Sequence, residues 1–204
     1  MKNFIIGITG GSGVGKTTLI KLLYAEFKDK ITTLSLDNYY LNKYEQALDE
    51  NGVINFDLPS ALNVKQLEQD FNRLLNNQAI QQKKYNFNNP DKKEEDVMVR
   101  PNEIILVEGL FVMHYPFVNS KLDYKVYLSV DEEKQLERRL KRDVEERNYN
   151  KDEVIYQWHN HVLPAYTNFV KPYKKNADLI ITNNLKFDDN IHELFRIIHL
   201  NIDK

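Results

Sequence analysis

The run Gly10-Gly11-Ser12-Gly13-Val14-Gly15-Lys16-Thr17 constrains this chain more than any other stretch. It fits G-x-x-x-x-G-K-[ST], the phosphate-binding P-loop spacing. Its flanks have the required order. Phe4, Ile5, Ile6 and Ile8 form a short apolar strand before it, and Thr18 to Phe27 reads as a helix after it. The chain has seven glycines in 204 residues, and five of them (Gly7, Gly10, Gly11, Gly13, Gly15) precede Lys16. Glycine is costly in ordered backbone and is placed where unusual angles or close approach to a ligand are needed. Amide N–H groups at a helix N-terminus, where the dipole is positive, suit phosphate oxygens. Gly10, Gly11, Ser12, Gly13, Val14, Gly15, Lys16, Thr17 and Thr18 are therefore candidate nucleotide-binding residues. Lys16 would reach the β/γ-phosphates and the Thr17 hydroxyl would bind Mg²⁺.

A chain of this length suggests one domain spanning 1–204, large enough to bury a proper core. The net charge is −2 and the basic residues are dispersed, which gives no reason to expect a nucleic-acid or acidic-membrane partner. With no cysteine, disulfides, thiol catalysis and zinc-thiolate sites are excluded. The first residues hold one Lys and a short apolar run broken by Gly7, unlike a signal peptide, and no apolar run approaches transmembrane length. A soluble cytoplasmic protein is the expectation.

Beyond the first helix, Ile31 to Leu36 reads as a second strand ending in Asp37-Asn38-Tyr39-Tyr40. Ligands in open α/β sheets sit beyond the carboxyl ends of strands, so Asp37 falls where chemistry would happen, although a turn-starting Asp is equally consistent with the local sequence. A polar stretch from Leu41 to Leu58 follows. Asn63 then caps a helix, with Gln66 placed for a capping box and Val64, Leu67, Phe71, Leu74 and Leu75 as the buried stripe. From about 79 to 101, Tyr85 and Phe87 alternate, a charged turn follows, and Val97-Met98-Val99 returns. This predicts a hairpin, either a flap over a substrate or a plain edge hairpin. Ile104-Ile105-Leu106-Val107 is a buried strand ending in Glu108-Gly109. A carboxylate there, downstream of a P-loop, is placed to bind Mg²⁺ together with Thr17 and Asp37.

Tyr124 to Val130 predicts another strand, and 131–150 a charged helix with a narrow apolar stripe of Leu136, Leu140 and Val144. That helix carries Arg138, Arg139, Arg142 and Arg147. It is either a solvated helix with i,i+4 ion pairs or a lid that brings guanidinium groups to a transferring phosphoryl. Lys151 to Tyr173 reads as helical with a break at Pro164, with Trp158, Val162, Phe169 and Tyr173 as core. His159 and His161 point to different faces, which argues against a metal pair, and His192 and His199 read as surface residues. Ala177 to Thr182 is the last strand and Phe187 to Ile202 an amphipathic closing helix. Strands and helices alternate throughout, so the expected fold is α/β: a P-loop NTPase fold with a mostly parallel sheet flanked by helices, a small β-hairpin and a helical lid.

Several of these motifs, in this order, resemble the uridine–cytidine kinases, within the P-loop group that includes phosphoribulokinase and pantothenate kinase. The resemblance runs over nearly the whole chain. It rests on Gly10 to Thr18, Ser35-Leu36-Asp37-Asn38-Tyr39-Tyr40, Asn55-Phe56-Asp57, Tyr85-Asn86-Phe87, Val107-Glu108-Gly109, Arg138 to Asp143, Val162 to Pro164 and Lys174 to Ile181. It implies transfer of the γ-phosphoryl of ATP or GTP to the 5′-hydroxyl of a small nucleoside. By the same resemblance Asp37 is the catalytic carboxylate and a metal ligand. Glu108 is the second metal carboxylate, and Asp57 and Gln157 bind the ribose. Arg139 and Arg142 act from the lid, and Tyr85 and Phe87 lie beside the base. The family often forms symmetric oligomers.

Rival readings have weaker support. A GTPase switch would carry an Asn-Lys-x-Asp motif, and none occurs; Asp49-Glu50-Asn51-Gly52 matches D-x-x-G but follows no apolar strand. A regulatory nucleotide-binding module would have no need of Asp37, Asp57 and Arg142. A kinase acting on another small alcohol, such as pantothenate or a sugar phosphate, fits the phosphate machinery equally well. The chain departs from the pyrimidine-selective pattern at two places. Pro90 stands where a base-bonding His is usual, and Tyr149 where an Arg facing the base is usual, so an altered base preference is expected.

Overall fold

In the computed structural model, which describes residues 3–85 and 95–202, the central strand is β1 (Phe4–Gly10). The chain continues through α1 (Lys16–Phe27), β2 (Ile31–Ser35), α2 (Val64–Leu75), the hairpin strands β3 (Ile80–Lys83) and β4 (Asp96–Val99), and β5 (Ile104–Glu108). It closes with α3 (Pro116–Asn119), β6 (Tyr124–Ser129), α4 (Glu132–Arg147), α5 (Lys151–Gln157), α6 (Leu163–Ala165), β7 (Leu179–Thr182) and α7 (Asn190–His199). The described residues form a parallel five-stranded sheet in the order β2-β5-β1-β6-β7, and β3 and β4 pair antiparallel as a separate ribbon. No helix among the described residues is long and apolar enough to cross a membrane.

A strand buried on both faces reads as a near-continuous apolar run, and β1 and β5 do. Alternate side chains supply two cores. Ile5, Leu34, Ile105, Val107 and Tyr127 pack on one face with Leu67, Phe71 and Leu74 of α2. Ile6, Ile8, Ile104, Leu106 and Val126 pack on the other with Leu19 and Leu23 of α1 and Leu194 and Ile198 of α7. The register pairs Ile8 with Glu108 and Ser35 with Glu108, so β1, β5 and β2 end side by side. Because β5 lies between β1 and β2, the connections after β1 and β5 diverge there and leave a crevice at the carboxyl edge.

Four local expectations are corrected. First, α4 does not bury the stripe Leu136, Leu140, Val144: Val144 is exposed, while Gln135, Arg139 and Asp143 are buried. Both sets have i, i+4, i+8 spacing and differ by one position of rotation; the helix turns its polar side inward because it packs on the P-loop rather than on the apolar core. Second, Pro164 does not break its helix. Backbone angles stay right-handed helical from Val162 to Tyr166, and the turns Trp158–Val162 and Tyr166–Val170 are π-helical. Widened turns relieve the clash between a proline ring and the preceding carbonyl, and they remove the need for its missing N–H. Third, β3 ends at Lys83, so Tyr85 lies just past the strand, and Phe87 falls outside the described residues. Fourth, Asn63 caps α2 by accepting from the Gln66 N–H at 3.1 Å, but the Gln66 side chain donates to Asp70 at 3.1 Å and completes no capping box.

Candidate active site

The loop after β1 needs backbone angles closed to other residues. Gly13 has φ +75° and Gly15 has φ +100°, and a Cβ on Gly15 would stand 2.5 Å from Asn183 Nδ2. Lys16 Nζ donates to the Gly10 and Gly11 carbonyls at 3.0 and 3.1 Å, curled over the loop it follows. The loop is braced from outside by Asn183, which donates to the Val14 carbonyl at 2.9 Å. Arg138 Nη2 donates to the Asn183 carbonyl at 2.8 Å, so this arginine braces the loop rather than the cavity centre.

The loop opens into a cavity of about 620 Å³. Thr17, Thr18, Asp37, Glu108 and Arg142 line it, so four elements deliver side chains to one space. Lys16, Asp37 and Glu108 are half-buried along the same wall of this cavity. Burial pushes the Asp37 carboxyl above its ordinary range, against the pull of Lys16, Arg147 and Arg142. Burial, and then the neighbouring Asp37 charge, push Glu108 up to about 7, although the Ser35 hydroxyl donates to it. Burial also lowers Lys16, while Glu108 and Asp37 hold it up. Two carboxylates that burial keeps from ionising freely, beside the Thr17 hydroxyl, are a donor set whose deficit a hard divalent cation would relieve. Among the described residues no group of three or more acidic or histidine side chains is gathered for a metal, so such an ion would need phosphate oxygens and water as well.

A second, smaller cavity of about 70 Å³ adjoins the first, and Tyr40, Asp57, Arg139 and Arg147 line both. Its other walls include Phe56, Tyr85, Tyr149, Gln157 and His161. The Tyr40 and Tyr85 rings are tilted against each other with centroids 5.0 Å apart. Arg139 is the strut between the two spaces. Its Nη1 donates to Ser12 Oγ at 3.1 Å and lies 4.0 Å from Asp57 Oδ1, while its Nη2 donates to Gln157 Oε1 at 3.3 Å.

The structure thus brings together Lys16, Thr17, Asp37, Glu108, Arg139 and Arg142 in the larger cavity, with Asp57, Tyr85 and Gln157 around the smaller one. Phe87 and Pro90 lie outside the described residues. Sequence reasoning missed the places of four side chains. Asp143 is buried and takes Arg139, Arg142 and Arg147 at 3.2, 2.7 and 3.2 Å. His161 is buried against Asp49, Nε2 to Oδ2 at 2.7 Å, and Asp49 also accepts from the Tyr156 hydroxyl at 2.7 Å. Asp49 is the residue of the discounted D-x-x-G match; hydrogen bonds from Tyr156, His161, Val53 and Asn51 hold its carboxyl below the usual range against the opposing effect of desolvation. Asn183 came from a stretch with no motif.

A model of the phosphoribulokinase/uridine kinase family matches residues 5–188. The chain belongs to that family. It is similar to a uridine kinase of Brevibacillus brevis, 35% identical over 178 residues, which are 87% of this chain and 83% of the relative. Among solved structures, one described as a possible uridine kinase from Bacillus stearothermophilus superposes with TM-score 0.63 at 17% identity, over 88% of this chain and 89% of that one. Phosphoribulokinase from Rhodobacter spheroides gives 0.62 at 15% identity, over 89% and 70%. These two show the fold, a parallel sheet with a P-loop. Family membership makes the chain an ATP-dependent phosphotransferase.

Proposed function

We propose that the chain transfers the terminal phosphoryl group of ATP or GTP to the 5′-hydroxyl of a ribonucleoside of the uridine–cytidine type. The observation that carries this is the pair of adjoining cavities, one on the P-loop and one walled by aromatic rings, sharing Asp57 and Arg139 at their junction. In this reading the phosphate donor takes the first, and the acceptor enters at the junction with its base toward the second, which widens from its 70 Å³ to admit it. The names of the curated relatives support the same acceptor.

In this reading Asp37 orients the acceptor hydroxyl and takes its proton as the oxygen attacks the γ-phosphorus and the bond to the β-phosphate oxygen breaks. Lys16 leaves its own loop carbonyls for the phosphates, and the P-loop amides hold them. Arg142 stabilises the charge on the transferring group, and Arg139 and Gln157 position the ribose with Asp57. Tyr85, with Phe87, flanks the base. Thr17, Asp37 and Glu108 would hold Mg²⁺, which when bound neutralises phosphate charge. The hairpin strands and α4 act as flap and lid that keep water from the phosphoryl.

Tyr149 lines the smaller cavity, which supports its standing in the base site and an altered base preference. The working form is a single kinase domain in the cytoplasm, assembling as a homo-oligomer and acting on a small molecule, with no nucleic-acid or membrane partner. The test is product identification: purified protein with ATP or GTP, Mg²⁺ and uridine, cytidine, adenosine, pantothenate or a sugar phosphate, with ³¹P NMR of the product. A nucleoside 5′-monophosphate supports the reading. Phosphorylation of pantothenate or a sugar phosphate alone moves the chain to the other-alcohol class, and hydrolysis without transfer removes the acceptor assignment.

A further inference from the structure

Asn38 follows Asp37 directly, and its side chain ends a buried polar relay that runs through three elements. Asp70 of α2 accepts from the Tyr39 hydroxyl at 3.0 Å and from Gln66 Nε2 at 3.1 Å. The Tyr39 oxygen accepts from Gln82 Nε2 of β3 at 2.6 Å. Gln82 Oε1 accepts from Asn38 Nδ2 at 3.3 Å, and Asn38 Oδ1 accepts from the Tyr85 backbone N–H at 3.1 Å. Tyr39, Asp70 and Gln82 are each buried.

The two ends of this relay fix everything between them. A carboxylate only accepts and a backbone N–H only donates. With Asp70 at one end, the tyrosine must give its proton there and present its oxygen to Gln82. Burial, with the Asp70 charge beside it, raises the Tyr39 pKa far above the ordinary range, so that proton stays. Gln82 must then turn its nitrogen to Tyr39 and its oxygen to Asn38. Asn38 in turn must point its oxygen at Tyr85. Each amide has one orientation that satisfies both neighbours; flipping one leaves buried groups unpaired, which is costly.

We infer that Asn38 is a positioning residue that ties the Tyr85 wall of the smaller cavity to the loop carrying Asp37. The inference rests on the acceptor-site reading of that cavity. Through Asn38, the ring expected beside the acceptor and the carboxylate expected to take its proton share one rigid mount. Neither Asn38 nor Gln82 lines the phosphate cavity. Their loss therefore acts first on acceptor use, because the P-loop contacts of Lys16 and Arg139 do not pass through the relay.

The experiment compares wild type, Asn38→Ala, Gln82→Ala and the double variant. The acceptor is the alcohol that wild type phosphorylates best. Each single variant should lower kcat/KM for that acceptor about tenfold, the scale of one or two lost hydrogen bonds, with the KM for ATP and the acceptor-free hydrolysis of ATP unchanged. The double variant should be no worse than the worse single one, because the relay is already cut. Hydrogen exchange at the Tyr85 amide gives a second readout that needs no substrate: protected in wild type and faster by about tenfold or more in Asn38→Ala. If wild type phosphorylates no nucleoside, the functional reading fails while the amide still decides the coupling. Multiplying losses in the double variant, an ATP KM that rises with the acceptor KM, or an unchanged Tyr85 amide overturns the inference. Should Asn38→Ala not fold, Asn38→Ser carries the same comparison.

Discussion

Arg142 Nε lies 2.7 Å from Asp143 Oδ1, its neighbour in the chain, and Asp143 is 2% exposed while Arg142 is about one third exposed. The guanidinium expected to meet a phosphoryl group is therefore held at the cavity edge by a buried carboxylate that it shares with Arg139 and Arg147. Losing the arginine and losing the carboxylate should have opposite signatures. Arg142→Ala removes a partly solvated cation, and such pairs contribute roughly 0–1 kcal/mol, so the thermal midpoint should barely move. Turnover should fall by about a thousandfold, the scale for arginines acting on a phosphoryl transition state. Asp143→Ala strips the anion that three cations share and should cost on the order of 3 kcal/mol of stability. Calorimetry and steady-state kinetics on both variants check this; an Arg142→Ala that keeps its kcat would return α4 to a merely structural role.

Asp37→Asn keeps the shape of the side chain and removes its basicity. Nucleotide binding should persist while kcat drops about a hundredfold or more. Lys16→Ala should weaken both nucleotide binding and kcat, because the P-loop lysine serves ground and transition states alike. Titration with a fluorescent ATP analogue alongside kinetics separates the two patterns, and near-normal turnover by folded Asp37→Asn would remove Asp37 from the mechanism.

The two desolvated carboxylates make the metal-free protein pH-sensitive, and the sign follows from the shifts. Glu108 is raised from its ordinary 4.5 to about 7, and Asp37 is raised as well. Between those values the folded state keeps a proton that the unfolded chain releases, so stability falls as pH rises from about 5 to about 8. Glu108→Gln keeps an oxygen for the Ser35 hydroxyl and has nothing to titrate. Its melting temperature should overtake that of wild type across this range, by a few degrees at the upper end, given about 2–4 °C per kcal/mol for a chain of this size. A gap that does not change with pH would mean that Glu108 titrates as an ordinary carboxyl.

Base preference is the fourth test. With Tyr149 in the smaller cavity and Pro90 unable to donate, discrimination among bases should be weakened by roughly thirtyfold or more relative to a site with both donors, at about 1–3 kcal/mol for each missing partner. The values of kcat/KM for uridine, cytidine and adenosine should therefore lie close together. A strong preference for uridine and cytidine would sink the altered-base idea and leave phosphoryl transfer standing.

Much of this was legible in the sequence where the signal is local. The Gly10 to Thr17 run announces itself because its backbone angles demand glycine at Gly13 and Gly15. Glu108 at the end of β5 and Asp37 in the turn after β2 follow from apolar runs and from where ligands sit in parallel sheets. What stayed hidden depends on packing partners far away in the chain. The face of α4 that would be buried could not be chosen from periodicity, since Gln135, Arg139 and Asp143 are spaced as regularly as the leucines beside them. The pairing of His161 with Asp49 spans 112 positions and has no motif, and Pro164 breaks helices except where the turn has widened around it. The orientation of the Asn38 amide is set by Asp70 through two intervening side chains, which no window of neighbouring residues contains.

Arg139 holds Ser12 of the P-loop with one terminal nitrogen and Gln157 with the other. A ligand that takes up either contact re-aims the same planar group and so changes what the other ligand meets. Linkage then makes the effect mutual: whatever factor a bound nucleotide applies to acceptor affinity, the acceptor must apply to nucleotide affinity. On the proposed function, the two substrates would be thermodynamic effectors of one another, joined through a single side chain.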